Sequence, residues 1–275
     1  MDEGKYKNTP YGRGKYASSR TNKQLEERGI YDISEQNEQD DEEFDGLADF
    51  PEDEALSITS VESLKRPKFR YLIHFGPYQV QVHEDVMIKY RMIKGNTFTK
   101  SDLLEIIAAD EKQQAYVDAL NYLSRKPRTA REIAQRLKEK GREDQVITET
   151  VARLEREGLV NDALYAQEWA GQRVKNRGKG KMWVRQELRQ KGVSKPLIEE
   201  ALGSVSEEEE YRSALDMGAK KWRQTSGDVL GRKRKTGAYL MRRGFSGSLV
   251  TRVLRSLVQE QDDPIEGETD YEDFE

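Results

Sequence analysis

A five-residue pattern that recurs three times at nearly constant intervals constrains this chain more than any other feature. Leu137-Lys-Glu-Lys-Gly141, Leu188-Arg-Gln-Lys-Gly192 and Leu240-Met-Arg-Arg-Gly244 start 51 and 52 residues apart, and each ends on a base followed by glycine. An apolar pair follows every glycine at the same distance (Val146-Ile147, Leu197-Ile198, Leu249-Val250), with a further apolar residue one helical turn later at Val151, Leu202 and Leu254. An interval of that length accommodates three short helices, and such self-similarity marks a repeat architecture. Upstream of each pattern lies another stretch with helical spacing: Tyr116, Ala119, Leu120 and Leu123; Tyr165, Ala166, Trp169 and Ala170; Tyr211, Ala214, Leu215 and Trp222. Thr129-Ala-Arg-Glu132 has the form of a capping box that opens the middle helix of the first unit, whose apolar stripe is Ala130, Ile133, Ala134 and Leu137. The expected fold is mostly α: three tandem three-helix repeats in a curved array, at 112–160, 161–205 and 206–259.

Ahead of the repeats the period shortens towards that of strands. Ser57 to Val61, Phe69 to Phe75 and Tyr78 to Val82 are rich in β-branched and aromatic residues, and Gly76-Pro77 supplies turn chemistry. Residues 57–111 are therefore expected to hold a small antiparallel β element, too short to stand alone, that packs on helices beginning near His83 to Tyr90 and resuming at Ser101.

Charge divides the chain more sharply than its net of -4 suggests. Residues 1–56 carry 7 bases and 16 acids, residues 260–275 carry 9 acids and no base, and residues 57–259 hold 40 bases against 26 acids. The two ends, acidic and without sustained apolar periodicity, are expected to be disordered tails. The basic body should attract polyanions, so nucleic acid, or a complex that contains it, is the natural class of partner.

Several functions are disfavoured by what is missing. The chain has no cysteine, which rules out disulfides, thiolate metal sites and cysteine nucleophiles. Its two histidines, His74 and His83, match no metal spacing and are expected to serve surface or packing roles. No stretch has the length and apolar character of a membrane span, and the first thirty residues show no hydrophobic signal region, so a cytoplasmic protein is expected. Gly178-Lys-Gly-Lys181 lacks the spacing and hydroxyl of a phosphate-binding loop, and Gly12-Arg-Gly14-Lys15 runs into Tyr16. The acids cluster with neither a histidine nor a nucleophile, and the Glu207 to Glu210 run reads as a helix start favoured by the dipole. No catalytic residue, metal or cofactor is expected.

The bases have two readings. At Gly141, Gly192 and Gly244 the basic-Gly pair marks a helix end, with cations at the negative pole and glycine in the left-handed position beyond. Around them Arg189, Lys191, Arg242 and Arg243 are expected to face water. Arg173, Lys175, Arg177, Lys179, Lys181 and Arg185 fall in a stretch with six bases, two glycines, Trp183 and no acid. That composition suits a loop reaching a partner's phosphates or carboxylates, with its glycines letting backbone amides approach. Trp183 is expected to pack between repeats. The run Arg232-Lys-Arg-Lys235 is a weaker second candidate.

Leu123-Ser-Arg125, Leu154-Glu-Arg-Glu-Gly-Leu-Val-Asn-Asp162, Arg177-Gly-Lys-Gly180, Arg185-Gln-Glu-Leu-Arg-Gln-Lys-Gly-Val193 and Arg242-Arg-Gly-Phe-Ser246 together resemble the bacterial regulatory protein family RecX. The resemblance covers residues 112–259 and extends to the strand segment from Ser57, as in members from Gram-positive bacteria. It implies a modulator that binds the RecA filament on single-stranded DNA along its helical groove and restrains filament growth, ATP hydrolysis and strand exchange, within homologous recombination, DNA repair and the SOS response. Some members also bind DNA directly. Thr236 and Gly237 depart from the family pattern and are expected to weaken their helix by up to about 1 kcal/mol for the glycine. The acidic tails inherit no role from the resemblance. The rival reading is a stand-alone helical DNA- or RNA-binding protein; the lack of a sustained heptad argues against a dimeric transcription factor and for a monomer.

Overall fold

The computed structural model describes Leu47 and residues 50–262, the side chains of 260–262 excepted. Most of the two expected acidic tails lies outside the described residues. Five strands are described: β1 Leu56–Ser57, β2 Ser60–Ser63, β3 Arg70–Phe75, β4 Tyr78–His83 and β5 Thr97–Phe98. The helices are α1 Glu84–Lys89, α2 Lys100–Leu123, α3 Ala130–Glu139, α4 Asp144–Arg156, α5 Asp162–Arg177, α6 Lys181–Gln190, α7 Lys195–Gly203, α8 Glu207–Arg223, α9 Val229–Arg242 and α10 Gly247–Asp262. The chain divides into two compact units, one holding the sheet with residues 133–160, the other holding 129–132 with everything from Asn161 onward.

In the first unit β2, β3 and β4 form an antiparallel meander in which Ile73 lies opposite both Val61 and Val80. Alternation decides which face is buried: Ile73, Phe75, Val80 and Val82 point into a core shared with Ile58, Val86, Met92, Leu103 and Ile106. Phe50 and Leu47 are buried there too, Phe50 meeting Phe75 edge-on at 5.8 Å. Composition assigns both to the acidic tail, yet they belong to the sheet's core, where burying a phenylalanine contributes about 2 kcal/mol. A second ladder, Leu56 opposite Phe98 and Ser57 opposite Thr97, is too short to have shown any alternation in the sequence.

Helix α2 begins at a capping box, Thr99 with Asp102. Its first turns bury Leu103 and Ile106 against the sheet, and its later turns bury Ala115, Tyr116, Ala119, Leu120 and Leu123 as the opening helix of the first repeat. The expected boundary at 111–112 thus falls inside one helix. Asp110 sits at that boundary, buried, paired with Arg70 at 2.6 Å and accepting the His83 backbone N–H at 2.6 Å. His83 caps α1, its Nδ1 accepting from the Asp85 N–H, and burial pushes its pKa below the usual histidine value against the pull of Asp85. No group of three or more histidines and carboxylates able to hold a metal exists among the described residues.

The second unit contains two three-helix repeats. In one, Ala166, Ala170, Val174, Val184, Leu188, Ile198 and Leu202 form the core of α5, α6 and α7. In the other, Ala214, Trp222, Leu240, Phe245, Val253 and Leu257 form the core of α8, α9 and α10. Ser206 and Glu209 make the capping box of α8, whose first turn carries Glu207 to Glu210 at the positive pole. Thr236 and Gly237 turn out to be buried where α10 crosses α9: a Cβ on Gly237 would stand 3.2 Å from the Leu254 Cδ1. The local propensity cost expected of this pair therefore accompanies a close helix contact that a larger residue would obstruct.

Candidate partner-binding surface

The basic stretch from Arg173 to Arg185 is not a loop. Helix α5 runs through Arg177, Gly178 caps it in the left-handed conformation (φ 57°), Gly180 is the N-cap of α6, and α6 starts at Lys181. Only Gly178 to Gly180 separate the two helices.

The glycines serve the repeats themselves. The Gly180 N–H donates to the Arg243 carbonyl at 2.9 Å and the Met182 N–H to the Gly244 carbonyl at 3.1 Å. The unpaired amides at the start of α6 thereby meet the unpaired carbonyls at the end of α9. A Cβ on Gly180 would overlap the Gly244 carbonyl, and one on Gly244 would overlap the Trp183 backbone. The Arg243 Nη1 reaches across to donate to the carbonyls of Arg177 and Gly178, both at 2.9 Å. Backbone approach by a partner, the role expected for these glycines, is thus replaced by backbone approach within the chain.

A second junction uses the same placement. The Thr129 hydroxyl donates to the Lys191 carbonyl at 2.7 Å, and the Lys191 Nζ pairs with Glu132 at 2.8 Å, so the start of α3 sits on the end of α6. A Cβ on Gly192 would strike the Arg131 side chain. Burial works to lower the Lys191 pKa, but hydrogen bonds to Glu132 and Tyr165 carry it above the usual lysine value. The capping box Thr129 with Glu132 forms as the spacing predicts.

Contacts within the chain, at these junctions and inside the repeats, occupy most of the expected site. Arg173 bonds Glu187 at 2.9 Å and lies over the Trp169 ring; Lys175 pairs with Glu209 at 2.7 Å; Arg185 holds Glu199 through two 2.8 Å bonds. The Lys181 Nζ donates to the Val205 carbonyl at 2.6 Å. The Lys179 ammonium rests 3.5 Å from the centre of the Trp183 ring, where burial, helped by the Arg243 charge, lowers its pKa. Lys191 and Arg243, expected to face water, are half-buried and tied into the junctions. The exposed remainder is Arg177, Arg189 and Arg242. Arg177 and Arg242 donate from their side chains to no described residue, and Arg189 adds only an electrostatic pull on Glu199.

Three apolar side chains near them went unnoticed in the sequence as a surface. Met182 is 58% exposed, Met241 52% and Trp183 38%, all beside Gly244 or within a turn of it. Trp183 is therefore only partly packed between repeats. From Arg232 to Lys235 the second basic run lies on α9, where Arg234 and Lys235 are exposed and Arg232 donates to the Trp222 carbonyl at 3.0 Å.

Comparison with known proteins adds relatives to this geometry. Models of the first, second and third three-helix domains of RecX match residues 115–154, 161–202 and 207–254. The regulatory protein RecX of Levilactobacillus brevis is 33% identical over 202 residues, 73% of this chain and 76% of that protein. The regulatory protein RecX of Bacillus subtilis is 31% identical over 215 residues, 77% of this chain and 81% of that one. A crystal structure of a regulatory protein RecX superimposes with a TM-score of 0.62 at 28% identity, covering 72% of this chain and 98% of the other.

Proposed function

Because the chain belongs to the RecX family of regulatory proteins, we propose that it binds the RecA filament on single-stranded DNA and restrains filament growth, ATP hydrolysis and strand exchange. Binding is stoichiometric and non-catalytic, and it takes place in the cytoplasm; no helix among the described residues is long and apolar enough to cross a membrane. The observation that supports this reading is the contrast between committed and uncommitted bases. Of the ten bases from Arg173 to Lys191 and at Arg242 and Arg243 singled out by the sequence, most hold carboxylates or carbonyls of the chain, which leaves Arg177, Arg189 and Arg242 among them as exposed donors for phosphates or for carboxylates on the recombinase.

The test is titration into RecA, ATP and single-stranded DNA while ATP turnover and strand exchange are followed. Inhibition at stoichiometric protein is expected, and its absence overturns the reading. Replacing Arg177, Arg189 and Arg242 together by glutamate should weaken binding to RecA on DNA at least about tenfold, while stability shifts by no more than about 0.5 kcal/mol per exposed site. The surplus of 40 bases over 26 acids in residues 57–259 favours a second reading, direct binding of DNA or RNA. Equal losses on naked DNA and on the RecA filament would select it.

A further inference from the structure

The helix-stacking contact is made twice within the chain, and each end of the repeat series is left with one unused half of it. The end of α6 is covered by the start of α3, and the end of α9 by the start of α6. The end of α3 carries the same basic-Gly sequence, with Gly141 in the same left-handed conformation (φ 76°), but nothing lies within 4 Å of a Cβ built on it. Lys138, Glu139, Lys140 and Gly141 are exposed, whereas Lys191, Gly192, Arg243 and Gly244 are half-buried. At the other end of the series, α9 starts from an N-cap residue, Asp228, as α6 starts from Gly180. Its second residue, Leu230, occupies the helix position of Arg131 in α3, the side chain that covers Gly192, yet Leu230 is 74% exposed and Val229 beside it 48%.

We propose that the exposed end of α3 and the exposed start of α9 complete a third stacking contact between two copies of this chain, head to tail, with Leu230 of one copy lying over Gly141 of the next. The argument is continuity with an interface the chain already makes twice, together with a leucine at the position that interface needs covered. The contact pairs two different surfaces, so it is head-to-tail and each copy keeps one half free to take up another copy. It is small beside the roughly 1,200 Å² that stable interfaces bury, so it is weak and concentration-dependent. On one half Lys138 and Lys140 are already paired with Asp144 and Asp118, and on the other Arg234 and Lys235 are exposed, so the repulsion left between the halves is modest and salt should strengthen the contact modestly. The monomer expected from the missing heptad concerned a coiled-coil seam, which this contact does not require.

A chain without cysteine allows a clean test. Single-cysteine full-length variants Lys140→Cys and Val229→Cys, both at exposed positions and both keeping Leu230, are mixed under mild oxidation. The mixed disulfide dimer should accumulate several-fold faster than either homodimer and several-fold faster than a control mixture of Val229→Cys with Ser57→Cys. In sedimentation of the cysteine-free chain, the average mass should rise with concentration and with salt, and Leu230→Glu should abolish the rise. The cross-linking decides: a mixed dimer no more abundant than the control overturns the proposal whatever the sedimentation shows. Neither readout contains RecA, so the outcome is independent of the function proposed above.

Discussion

The two internal junctions place a helix start on a helix end in the same way, yet they are built from different chemistry. Where α6 meets α9, two glycines bring backbone to backbone and the amides and carbonyls bond directly. Where α3 meets α6, a threonine hydroxyl bonds the carbonyl and a Lys191–Glu132 pair closes the side. The repeat therefore preserves an arrangement and lets the atoms that satisfy it vary. The helix ends look alike in the sequence because each needs a left-handed glycine, whereas the starts Thr129, Gly180 and Asp228 have nothing in common beyond being able to cap.

The sharpest way to break this comparison is a graded glycine series measured by thermal or denaturant unfolding. Gly244→Val should cost most, about 3 kcal/mol or more, because a left-handed backbone (φ 85°) and overlap with the Trp183 backbone act together and neither neighbour can move aside. Gly192→Ala should cost about 2 kcal/mol, since its Cβ would sit on a left-handed backbone (φ 83°) and stand 2.5 Å from the Arg131 Cβ, which unlike the end of that side chain cannot swing away. Gly141→Ala should cost about 1 kcal/mol, the backbone term alone, because nothing stands near it. Equal costs at all three positions would mean that the junctions do not bear on stability.

A second probe isolates the hydroxyl. Thr129→Val keeps the shape but removes both the cap to Glu132 and the bond to the Lys191 carbonyl, and should cost about 1–2 kcal/mol in equilibrium unfolding. A loss no larger than that of an ordinary exposed threonine would reduce this junction to contact without bonding.

The smallest effect is electrostatic. Asp162 accepts the Ala130 N–H at 2.9 Å beside Glu132, and burial raises its pKa despite that bond. An acid whose folded pKa is raised costs the fold at neutral pH and ceases to do so as pH falls through the folded value. Asp162→Asn keeps the acceptor and removes the charge, so it should be neutral or stabilising by a few tenths of a kcal/mol at pH 7, with the difference from the parent vanishing in acid. A clear loss of stability on this substitution would show that the ionised carboxylate is needed.

How much could be read beforehand depended on how local the cause was. The middle helices, the capping box at Thr129 and the strands on either side of Gly76-Pro77 follow from periodicity and turn chemistry within a dozen residues. Leu47 and Phe50 escaped notice because two apolar residues in an acidic stretch make no period. The cations escaped in the opposite sense. Nothing near Arg243 in the sequence says that its guanidinium will hold carbonyls at Arg177 and Gly178, or that Lys181 will hold Val205. Charge runs show which side chains can reach an acceptor, and the fold decides whose acceptor it is.

Helix α2 gives the sheet and the first repeat a common fate. Leu103 and Ile106 near its start belong to the sheet core, Leu120 and Leu123 at its end to the repeat, and the Asp110–Arg70 pair ties its middle to β3. A helix with packed residues along its whole length does not fray from one end while the other stays folded, so the sheet and the repeat should open in one cooperative event, with hydrogen-bonded amides towards both ends of α2 showing the same opening free energy in hydrogen exchange. An inherited module boundary drawn at the repeat would cut this helix in two: the repeat can be recognised separately by its pattern, but it cannot be excised separately without leaving half a helix with no floor beneath it.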